Sequence, residues 1–363
     1  MDTVTIDDVQ LVLSHPEDTP VEWIGNDYLV KQLLAAWMMV DERDVPLNPR
    51  ILGAPGIGKT TLACAAAQRM GQPVYIFQAT ADTRPEDLII QPVICSTNEI
   101  TYHASPLVTA MITGGICVLD EGNRMSEKSW ASLAPLLDHR RYVESIIAGI
   151  KIRAHPDFRI CCTMNNDAST YEIPEYIQSR IQPQILIEFP NREDELQILK
   201  FNVPFGDDEL LNYVVDFLQR AHKKTEPFSV RDGISITRYS LKLMASEVKD
   251  LANLSQVMER AVRQVLGDRA IRYLSDATAE AEPPHDASPN PPDRILELLK
   301  PFQLRQMKED LDHDHLHDED DDDDEDEGEE ADEEGDDDDK DKEQRKHAPR
   351  QSDVDENDGR WDW

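Results

Sequence analysis

Residues 50–61 have the sequence Arg-Ile-Leu-Gly-Ala-Pro-Gly-Ile-Gly-Lys-Thr-Thr, and this stretch decides the fold class. It follows an apolar segment typical of a strand and precedes an Ala-rich segment typical of a helix. From Gly53 to Thr60 it matches G-x-x-x-x-G-K-[ST], in which glycines let successive backbone N–H groups curl around a phosphate. The alternative is a tight turn that caps a structural helix. The sequence predicts a phosphate-binding loop with the following contact residues: Gly53, Ala54, Pro55, Gly56, Ile57, Gly58, Lys59, Thr60 and Thr61.

Two later apolar segments end in polar residues that suit the same chemistry. Residues 116–121, ICVLDE, end in Asp120 and Glu121. A carboxylate at the end of a buried strand can hold Mg²⁺ together with the Thr60 hydroxyl, and an adjacent Glu can polarise an attacking water. The segment CTMNN places Asn165 where an amide could orient that water. Taken alone, each segment could equally be a strand that ends in a solvated turn.

The order of predicted elements indicates the fold class and the domains. Up to residue 190, four or five apolar strands alternate with helices, which is typical of a parallel α/β sheet. Beyond it the pattern is that of amphipathic helices. The predicted parts are a loosely packed N-terminal arm at 1–22, an α/β domain at 23–190, a small all-α domain at 191–281, a Pro-rich linker with a short helix at 282–308, and a disordered acidic tail at 309–363.

The net charge of −36 is concentrated at one end of the chain. Residues 309–363 carry 24 of these negative charges, and residues 1–308 carry the other 12. A segment that is almost all Asp and Glu cannot bury enough apolar surface to fold alone. The remaining body is mildly acidic, which argues against a general duplex-DNA binder with a basic face.

The hydropathy pattern, the first residues and the cysteines argue against a membrane-spanning or secreted protein and indicate a cytoplasmic one. The sequence has no run of about 18 apolar residues and no secretion signal at its start. Its five cysteines show no C-x-x-C pair, so we expect buried, reduced thiols. His103 has no partner at metal-ligand spacing, and we expect a packed or surface side chain. The tail histidines His313, His315 and His317 alternate with carboxylates and could bind a divalent metal weakly, although a solvated polyanion is the simpler interpretation.

Two isolated arginines are candidates for a charge that acts on the phosphate from outside the loop. Arg180 lies in IPEYIQSR near the end of the α/β domain, and Arg238 lies in SITRYS within the helical domain. Phosphoryl transfer needs a cation against the developing negative charge. A lone Arg on a helix is more often a solvated or salt-bridged residue.

Taken in order, GAPGIGKT, ICVLDEGNRM, CTMNND, IPEYIQSR and SITRYS resemble the AAA+ ATPases, over roughly residues 20–275. Within them the chain resembles the MoxR-type branch, with its relatives that activate rubisco, nitric-oxide reductase or gas-vesicle assembly. The resemblance implies an AAA+ P-loop NTPase domain followed by an all-α lid. Ser105 stands where the branch has Gly, and Gly122 stands where it has a bulkier residue.

The resemblance also implies roles for single residues. Lys59 and Thr60 would hold the phosphates of ATP and Mg²⁺, Asp120 would be the second-shell metal carboxylate, and Glu121 would be the base. Asn165 would be the first sensor, and Arg238 the second, from the lid. Arg180 would be the finger that reaches a neighbouring subunit, with Arg124 and the pair Arg140 and Arg141 as alternatives.

The resemblance implies partners as well. It predicts a homo-oligomeric ring of six subunits. It also predicts a separate protein with a von Willebrand A domain, whose D-x-S-x-S motif this sequence lacks. Two inserted loops, at about 86–104 and 141–157, would line the working face of the ring.

Three functions remain open on the sequence. The first is an ATP-hydrolysing ring that remodels or activates a partner protein. The second is a nucleic-acid-directed AAA+ motor or loader, which would carry basic or aromatic pore loops. The third is a nucleotide-gated scaffold whose acidic tail, ending in RWDW, binds a basic partner.

Overall fold

The computed structural model describes residues 2–18, 21–94, 100–165, 172–246 and 253–274. The chain divides into two units, Met1–Arg305 and Gln306–Trp363, and the second contains none of the described residues. The expected linker and acidic tail therefore lie outside the described residues. No helix within the described ranges is long and apolar enough to cross a membrane.

The described elements are numbered in chain order. The strands are β1 (Thr3–Ile6), β2 (Val9–Val12), β3 (Arg50–Gly53), β4 (Val74–Gln78), β5 (Ile90–Ile94), β6 (Ile100–Ala104), β7 (Ile116–Asp120), β8 (Tyr142–Ser145), β9 (Ile150–Arg153), β10 (Arg159–Asn165) and β11 (Gln184–Leu186). The helices are α1 (Asp27–Trp37), α2 (Lys59–Met70), α3 (Pro85–Leu88), α4 (Pro106–Thr113), α5 (Glu127–Leu133), α6 (Glu175–Gln178), α7 (Arg192–Asn202), α8 (Asp208–Lys223), α9 (Val230–Ala245) and α10 (Leu254–Leu266).

A five-stranded parallel sheet forms the centre of the α/β part, in the order β11-β3-β10-β7-β4. This confirms the fold class, and the four or five apolar strands expected correspond to five strands. Both faces of the sheet are covered, since Cys117 and Leu119 of β7 enter one apolar cluster and Ile116 and Val118 enter another. Strands buried on both faces lack alternation, which explains their continuous apolar sequences.

The residues before the sheet are packed more firmly than the loose arm expected at 1–22. Strands β1 and β2 form an antiparallel hairpin, and β2 pairs in parallel with β6. The result is a second, four-stranded sheet in the order β1-β2-β6-β5. Asp7 and Asp8 both have positive φ, as a two-residue hairpin turn requires, and Leu11 is fully buried.

Two hairpins occupy the regions where insertions were expected. The first consists of β5 and β6, and the second of β8 and β9. Gly149 takes a positive φ of 67° in the turn of the second hairpin. Alternate residues of this hairpin are buried, whereas Ile146 at its tip is 96% exposed.

Four helices, α7 to α10, follow residue 190 and share an apolar core of their own. Their largest buried side chain is Phe217, and Ile236 and Met258 pack in the same cluster. Each helix starts at a polar cap whose side chain accepts a backbone N–H: Asn191, Asp207, Ser229 and Asn253. Strands and helices alternate along the chain only before residue 190. The four helices that follow therefore form a layer of their own and do not flank the sheet.

A buried carboxyl group lies in the first turn of α7. Glu195 is fully buried, and its Oε2 accepts a hydrogen bond of 2.8 Å from Nε2 of Gln219. The other oxygen, Oε1, has no hydrogen-bond partner among the described residues. Burial raises the pKa of Glu195 to about 7. The ionised form is therefore costly in the folded state.

This carboxyl group predicts a pH dependence of stability. The folded-state pKa lies above the unfolded value of about 4.5, so Glu195 destabilises the fold increasingly as the pH rises from 4.5 to 7. Replacement by Gln removes this dependence. The quantity to compare is the free energy of unfolding of Glu195→Gln minus that of the parent. This difference should increase by up to about 3 kcal/mol from pH 5 to pH 8.5. Denaturant titrations at the two pH values measure it, with exposed Glu193→Gln as the control. Parallel pH profiles of parent and Glu195→Gln would contradict the assignment.

Candidate functional site

The loop between β3 and α2 has the backbone that the motif predicts. Gly56 and Gly58 have φ values of +76° and +100°, which side-chain-bearing residues rarely adopt. Helix α2 begins directly after Gly58 and has no side-chain cap at its N-terminus. The N–H groups of its first turn, with the positive end of the helix dipole, are thus available for an anion. The loop fits a phosphate group.

Lys59 is buried at this loop, with 7% of its surface exposed. Its Nζ donates hydrogen bonds to the carbonyl oxygens of Gly53 (3.1 Å) and Ala54 (2.9 Å) and to Oδ1 of Asn165 (2.6 Å). The Asn165 contact follows from the sheet, since Asn165 pairs with Gly53 across β10 and β3. The structure therefore brings the predicted lysine and the predicted sensor amide together.

The predicted metal ligands are also adjacent. Thr60 Oγ1 donates a hydrogen bond of 2.8 Å to Oδ1 of Asp120, at the end of β7. Thr163 Oγ1 donates to the same carboxylate oxygen. A hydroxyl and a carboxylate side by side at the mouth of a phosphate loop are the oxygen ligands that Mg²⁺ prefers. Thr163 is a site residue that the sequence prediction missed, although it lies two positions before Asn165 on the same strand.

Glu121 is held at both oxygens of its carboxylate. Asn165 Nδ2 donates to Oε1 at 3.1 Å, and Nε of Arg124 lies 2.5 Å from Oε2. The backbone N–H of Glu121 donates to Oγ1 of Thr163 at 3.0 Å, and its φ is +55°. A non-glycine residue with positive φ carries local strain, which surrounding contacts must maintain. Five predicted residues thus meet at one edge of the sheet: Lys59, Thr60, Asp120, Glu121 and Asn165.

The two departures from the family pattern have local structural reasons. A Cβ atom on Gly122 would lie 2.3 Å from Sγ of Cys162, so only glycine fits there. Ser105 caps α4, where its Oγ accepts from the N–H of Val108 at 3.1 Å. The same hydroxyl donates to the carbonyl oxygen of Leu88 at 2.7 Å. Ser105 therefore joins α4 to the end of α3 without touching the phosphate loop residues named above.

A cleft of about 720 Å³ separates the phosphate loop from the helical domain. Thr61 and Gly58 line it on the loop side. The apolar residues of its lining are Val21, Trp23, Ile24, Leu29, Ile57, Leu186, Ile187, Phe189, Pro190, Ile198, Phe201, Val230 and Ile234. A cleft of this size, mainly apolar and open to a phosphate loop, suits the base and sugar of a nucleotide. Ala54 and Pro55 line an adjoining cavity, which shares Gly56, Ile57 and Arg231 with the cleft.

The arginine of the helical domain that borders the cleft is Arg231, whereas Arg238, the expected second sensor, is not among the lining residues. Arg238 is exposed on α9, and its Nη2 donates to the carbonyl oxygen of Asn202 at 3.1 Å. It lies seven residues beyond Arg231, or about 10 Å along the helix. Arg231 lines the cleft, and its Cβ is 3.0 Å from the position of a Cβ on Gly56. The capping box from Ser229 to Asp232 was the missed signal, because it starts α9 and places Arg231 in the first turn.

Arg180 does not join this group within its own chain. Its Nη1 donates to the carbonyl oxygen of Tyr176, and its Nε lies 3.7 Å from Oδ2 of Asp138. Asn48 Nδ2 donates to the backbone oxygen of Arg180 at 3.1 Å. The side chain is 31% exposed, so part of it faces solvent.

The alternative arginines have partners of their own. Arg140 forms an ion pair of 2.8 Å with Asp138, and Nη2 of Arg141 donates to the carbonyl oxygen of Phe158 at 2.9 Å. Arg124 pairs with Glu121.

The fold and the site together define a P-loop nucleotide-binding protein. Residues 50–181 match a family model described as "AAA domain (dynein-related subfamily)". This part of the chain is therefore similar to that domain, and the chain has the AAA+ P-loop fold.

Curated relatives cover a larger part of the chain. An uncharacterized protein of Staphylococcus epidermidis is 26% identical over 234 residues, which is 61% of this chain and 85% of the relative. An uncharacterized protein of Staphylococcus aureus is 25% identical over 232 residues, with the same two shares.

Solved structures are similar at low identity. The Holliday junction branch migration motor RuvB of Thermotoga maritima is 16% identical, with a TM-score of 0.44 over 66% of this chain and 70% of that one. A putative ATPase of Cytophaga hutchinsonii is 16% identical, with a TM-score of 0.40 over 76% and 80%.

Proposed function

We propose that the protein is a cytoplasmic, MoxR-type ring ATPase that uses ATP and Mg²⁺ to remodel or activate a partner protein. The observation that carries the proposal is the meeting of Lys59, Thr60, Asp120, Glu121 and Asn165 at one edge of the sheet. These groups supply a cation for phosphates, oxygen ligands for a metal and a carboxylate base within one network. That combination supports hydrolysis of a nucleoside triphosphate.

Each side chain has a role that its chemistry allows. The loop N–H groups and Lys59 bind the phosphates, and Thr60 and Asp120 would hold Mg²⁺, which when bound neutralises phosphate charge. Glu121 takes a proton from the attacking water, and Asn165 orients that water. The apolar cleft beside Trp23 receives the base and sugar.

The partly exposed position of Arg180 supports assembly into a ring, which we propose is a hexamer. Its partners Tyr176 and Asp138 lie away from the phosphate loop network. A further cation for the transition state would then come from a neighbouring copy, in a head-to-tail arrangement that closes as a ring. Arg180 is the finger that we propose.

Arg231 is the lid arginine that we propose acts on the nucleotide in the same chain. Replacement of Arg231 by Ala should weaken ATP binding by about tenfold, because a hydrogen bond to a charged group is worth about 1.5–3 kcal/mol. The matched control is Arg238→Ala, which should change the dissociation constant by less than about twofold. Calorimetric titration with a non-hydrolysable ATP analogue measures both. The reverse order of effects would restore the original assignment of Arg238.

The two hairpins support a protein client. Val93, Ile94 and Ile100 are exposed near the tip of the first, and Ile146 and Ile147 are exposed at the tip of the second. Apolar side chains of this kind fit an apolar protein surface or segment better than a phosphate backbone. A separate protein with a von Willebrand A domain remains the partner that we propose for delivery of the client.

The experiment compares capture of protein by two forms of the hydrolysis-deficient Glu121→Gln variant. One form is otherwise unchanged, and the other also carries Ile146→Ser and Ile147→Ser. We expect ATP-dependent retention of a defined protein partner by the first form and its loss in the second. Val40→Ser, at a 78% exposed position outside both hairpins, is the control. Retention of nucleic acid alone would contradict the proposal.

The second candidate function is a nucleic-acid-directed motor or loader. Lys151 and Arg153 lie on β9, and Arg140 precedes β8, so the second hairpin also carries positive charge. Such charges could follow a phosphate backbone. Stimulation of ATP hydrolysis by single- or double-stranded DNA would favour this function over the first.

The third candidate function is a nucleotide-gated scaffold that acts through residues 309–363. The 24 net negative charges of this segment support a basic partner. Pulldown with the full chain and with a chain that ends at residue 308 separates this function from the first. If removal of residues 309–363 changed neither the partners nor the activity, the role of the segment would be limited to solubility.

A further inference from the structure

The helical domain carries a basic surface at the end of α8, although residues 1–308 have a net charge of −12. The cations of this basic surface come from the last turn of α8, from the residue after it, and from the 3₁₀ helix Asp268–Tyr273, which packs against α8. They are Arg220, Lys223, Lys224, Arg269 and Arg272. Arg220 is partly buried, and the other four are exposed.

The contact between α8 and the 3₁₀ helix brings the two groups of cations together. Arg220, Lys223 and Lys224 lie on one side of α8, because residues three and four apart are neighbours on a helix. Nη1 of Arg220 lies 3.5 Å from the carbonyl oxygen of Tyr273. That side of α8 therefore borders the 3₁₀ helix that supplies the other arginines.

Glu226 is the carboxylate that lies within the basic surface. Its Oε1 accepts a hydrogen bond of 2.7 Å from the Tyr273 hydroxyl and lies 2.5 Å from Nη2 of Arg272. The hydrogen bond from Tyr273, together with the charges of Arg272 and Arg269, lowers the pKa of Glu226. Glu226 is therefore ionised at neutral pH and offsets part of the charge of Arg272.

The carboxylates at the border of the basic surface are paired with other arginines. Asp268 forms an ion pair of 3.0 Å with Arg263, and Asp216, one turn before Arg220 on α8, forms one of 2.8 Å with Arg192. Within the described part of the chain, no ion pair involves the following three cations: Lys223, Lys224 and Arg269. The basic surface thus has a net positive charge that attracts an anionic partner.

The same chain contains a segment of the opposite charge. Residues 309–339 include 23 acidic residues and no Lys or Arg. The 34 residues 275–308 connect this segment to Leu274, which directly follows the 3₁₀ helix of the basic surface. A chain of 34 residues can extend over about 110 Å, so the connection is long enough for the segment to return to that surface.

We propose that the basic surface at the end of α8 binds the acidic segment 309–339 of the same chain. Single exposed ion pairs are weak, but many carboxylates on a tether act together and at high effective concentration. A basic partner protein would then have to displace this surface before it could bind the segment. The inference does not rest on ATP hydrolysis, so its failure and that of the proposed function are separate results.

The experiment measures binding of a fluorescently labelled peptide of residues 309–339 by anisotropy. The full chain is compared with a chain that ends at residue 308, which keeps every described element. The peptide should bind the full chain at least about tenfold more weakly, because the tethered segment competes at an effective concentration of about 1 mM. Equal binding to the two chains, or binding to neither, would overturn the proposal.

Substitutions in the shorter chain test the location of the site. The combination of Lys223→Gln, Lys224→Gln and Arg269→Gln should weaken peptide binding about tenfold or more. The matched control removes three exposed cations at the second hairpin, by Arg140→Gln, Lys151→Gln and Arg153→Gln, and should bind the peptide like the parent. Loss of binding in the control alone would place the site on the hairpin and contradict the proposal.

A second readout uses the full chain without added peptide. Amide hydrogen exchange of the 3₁₀ helix Asp268–Tyr273 should be slower in the full chain than in the chain that ends at residue 308. The difference should disappear in 1 M salt, where charges are screened within about 3 Å, and in the Lys223, Lys224 and Arg269 variant. Exchange that is equal in the two chains would overturn the proposal. Protection that appears only as the protein concentration rises would assign the bound segment to another copy and would also contradict it.

Discussion

Glu121→Gln is expected to bind ATP with nearly parental affinity while its kcat falls about 100- to 10,000-fold, the usual contribution of a general base. Gln has almost the same shape as Glu, and its amide oxygen can still accept the hydrogen bond from Asn165. It cannot take a proton from water. Steady-state phosphate release measures the loss, and titration with ATP measures the retained binding.

The matched control is Glu127→Gln. Glu127 lies in the first turn of α5, six residues further along, and is exposed. The Glu127→Gln variant should hydrolyse ATP at the parental rate. Hydrolysis by Glu121→Gln at that rate would show that another group is the base.

Arg180→Ala is expected to lower kcat about 1,000-fold or more, the magnitude typical of an arginine finger. The reason is that the transition-state charge on the phosphate would lose its cation from the neighbouring subunit. Nucleotide binding should change much less, since Arg180 lies outside the cleft of its own chain. Turnover and binding are measured on the same preparations at concentrations where the ring is assembled.

Mixing tests whether the arginine acts between subunits. Arg180→Ala retains its own loop and base, and Glu121→Gln retains the finger. A mixed ring should therefore regain hydrolysis that neither variant shows alone. Arg140→Ala is the control, because Arg140 also pairs with Asp138. Equal loss in Arg140→Ala, without recovery on mixing, would assign Arg180 a structural role around Asp138.

Much of the site was predictable because parallel strands end at a common edge. Once Gly53, Asp120 and Asn165 are each placed at the carboxyl end of a strand, the sheet brings them together. Continuous apolar runs identified those strands, and the glycine-rich loop identified the binding edge. These signals are local in sequence, so they do not depend on distant pairing.

The other features of the site depend on contacts between residues that are far apart in the sequence. Residue type alone could not show which of Arg231 and Arg238 lies beside the phosphate loop. The answer depends on the start of α9, which packs against the loop at Gly56. The hydrogen bond from Thr163 to Asp120 joins two strands 43 residues apart. Gly122 is required by Cys162 on a neighbouring strand. None of these contacts leaves a periodic pattern in the sequence.

The hairpin of β1 and β2 has a consequence for the order in which the chain folds. Ser14 Oγ, just after the hairpin, donates to the carbonyl oxygen of Ala104, 90 residues further along. A two-stranded hairpin alone is marginally stable in water, so this one must wait for β6 before its sheet can close. At synthesis rates of about 5–20 residues per second, the wait lasts about 5–20 s. During that time β6 is not there to pair with β2 beside Leu11, so β1 and β2 cannot be fixed in their sheet before β6 has been made.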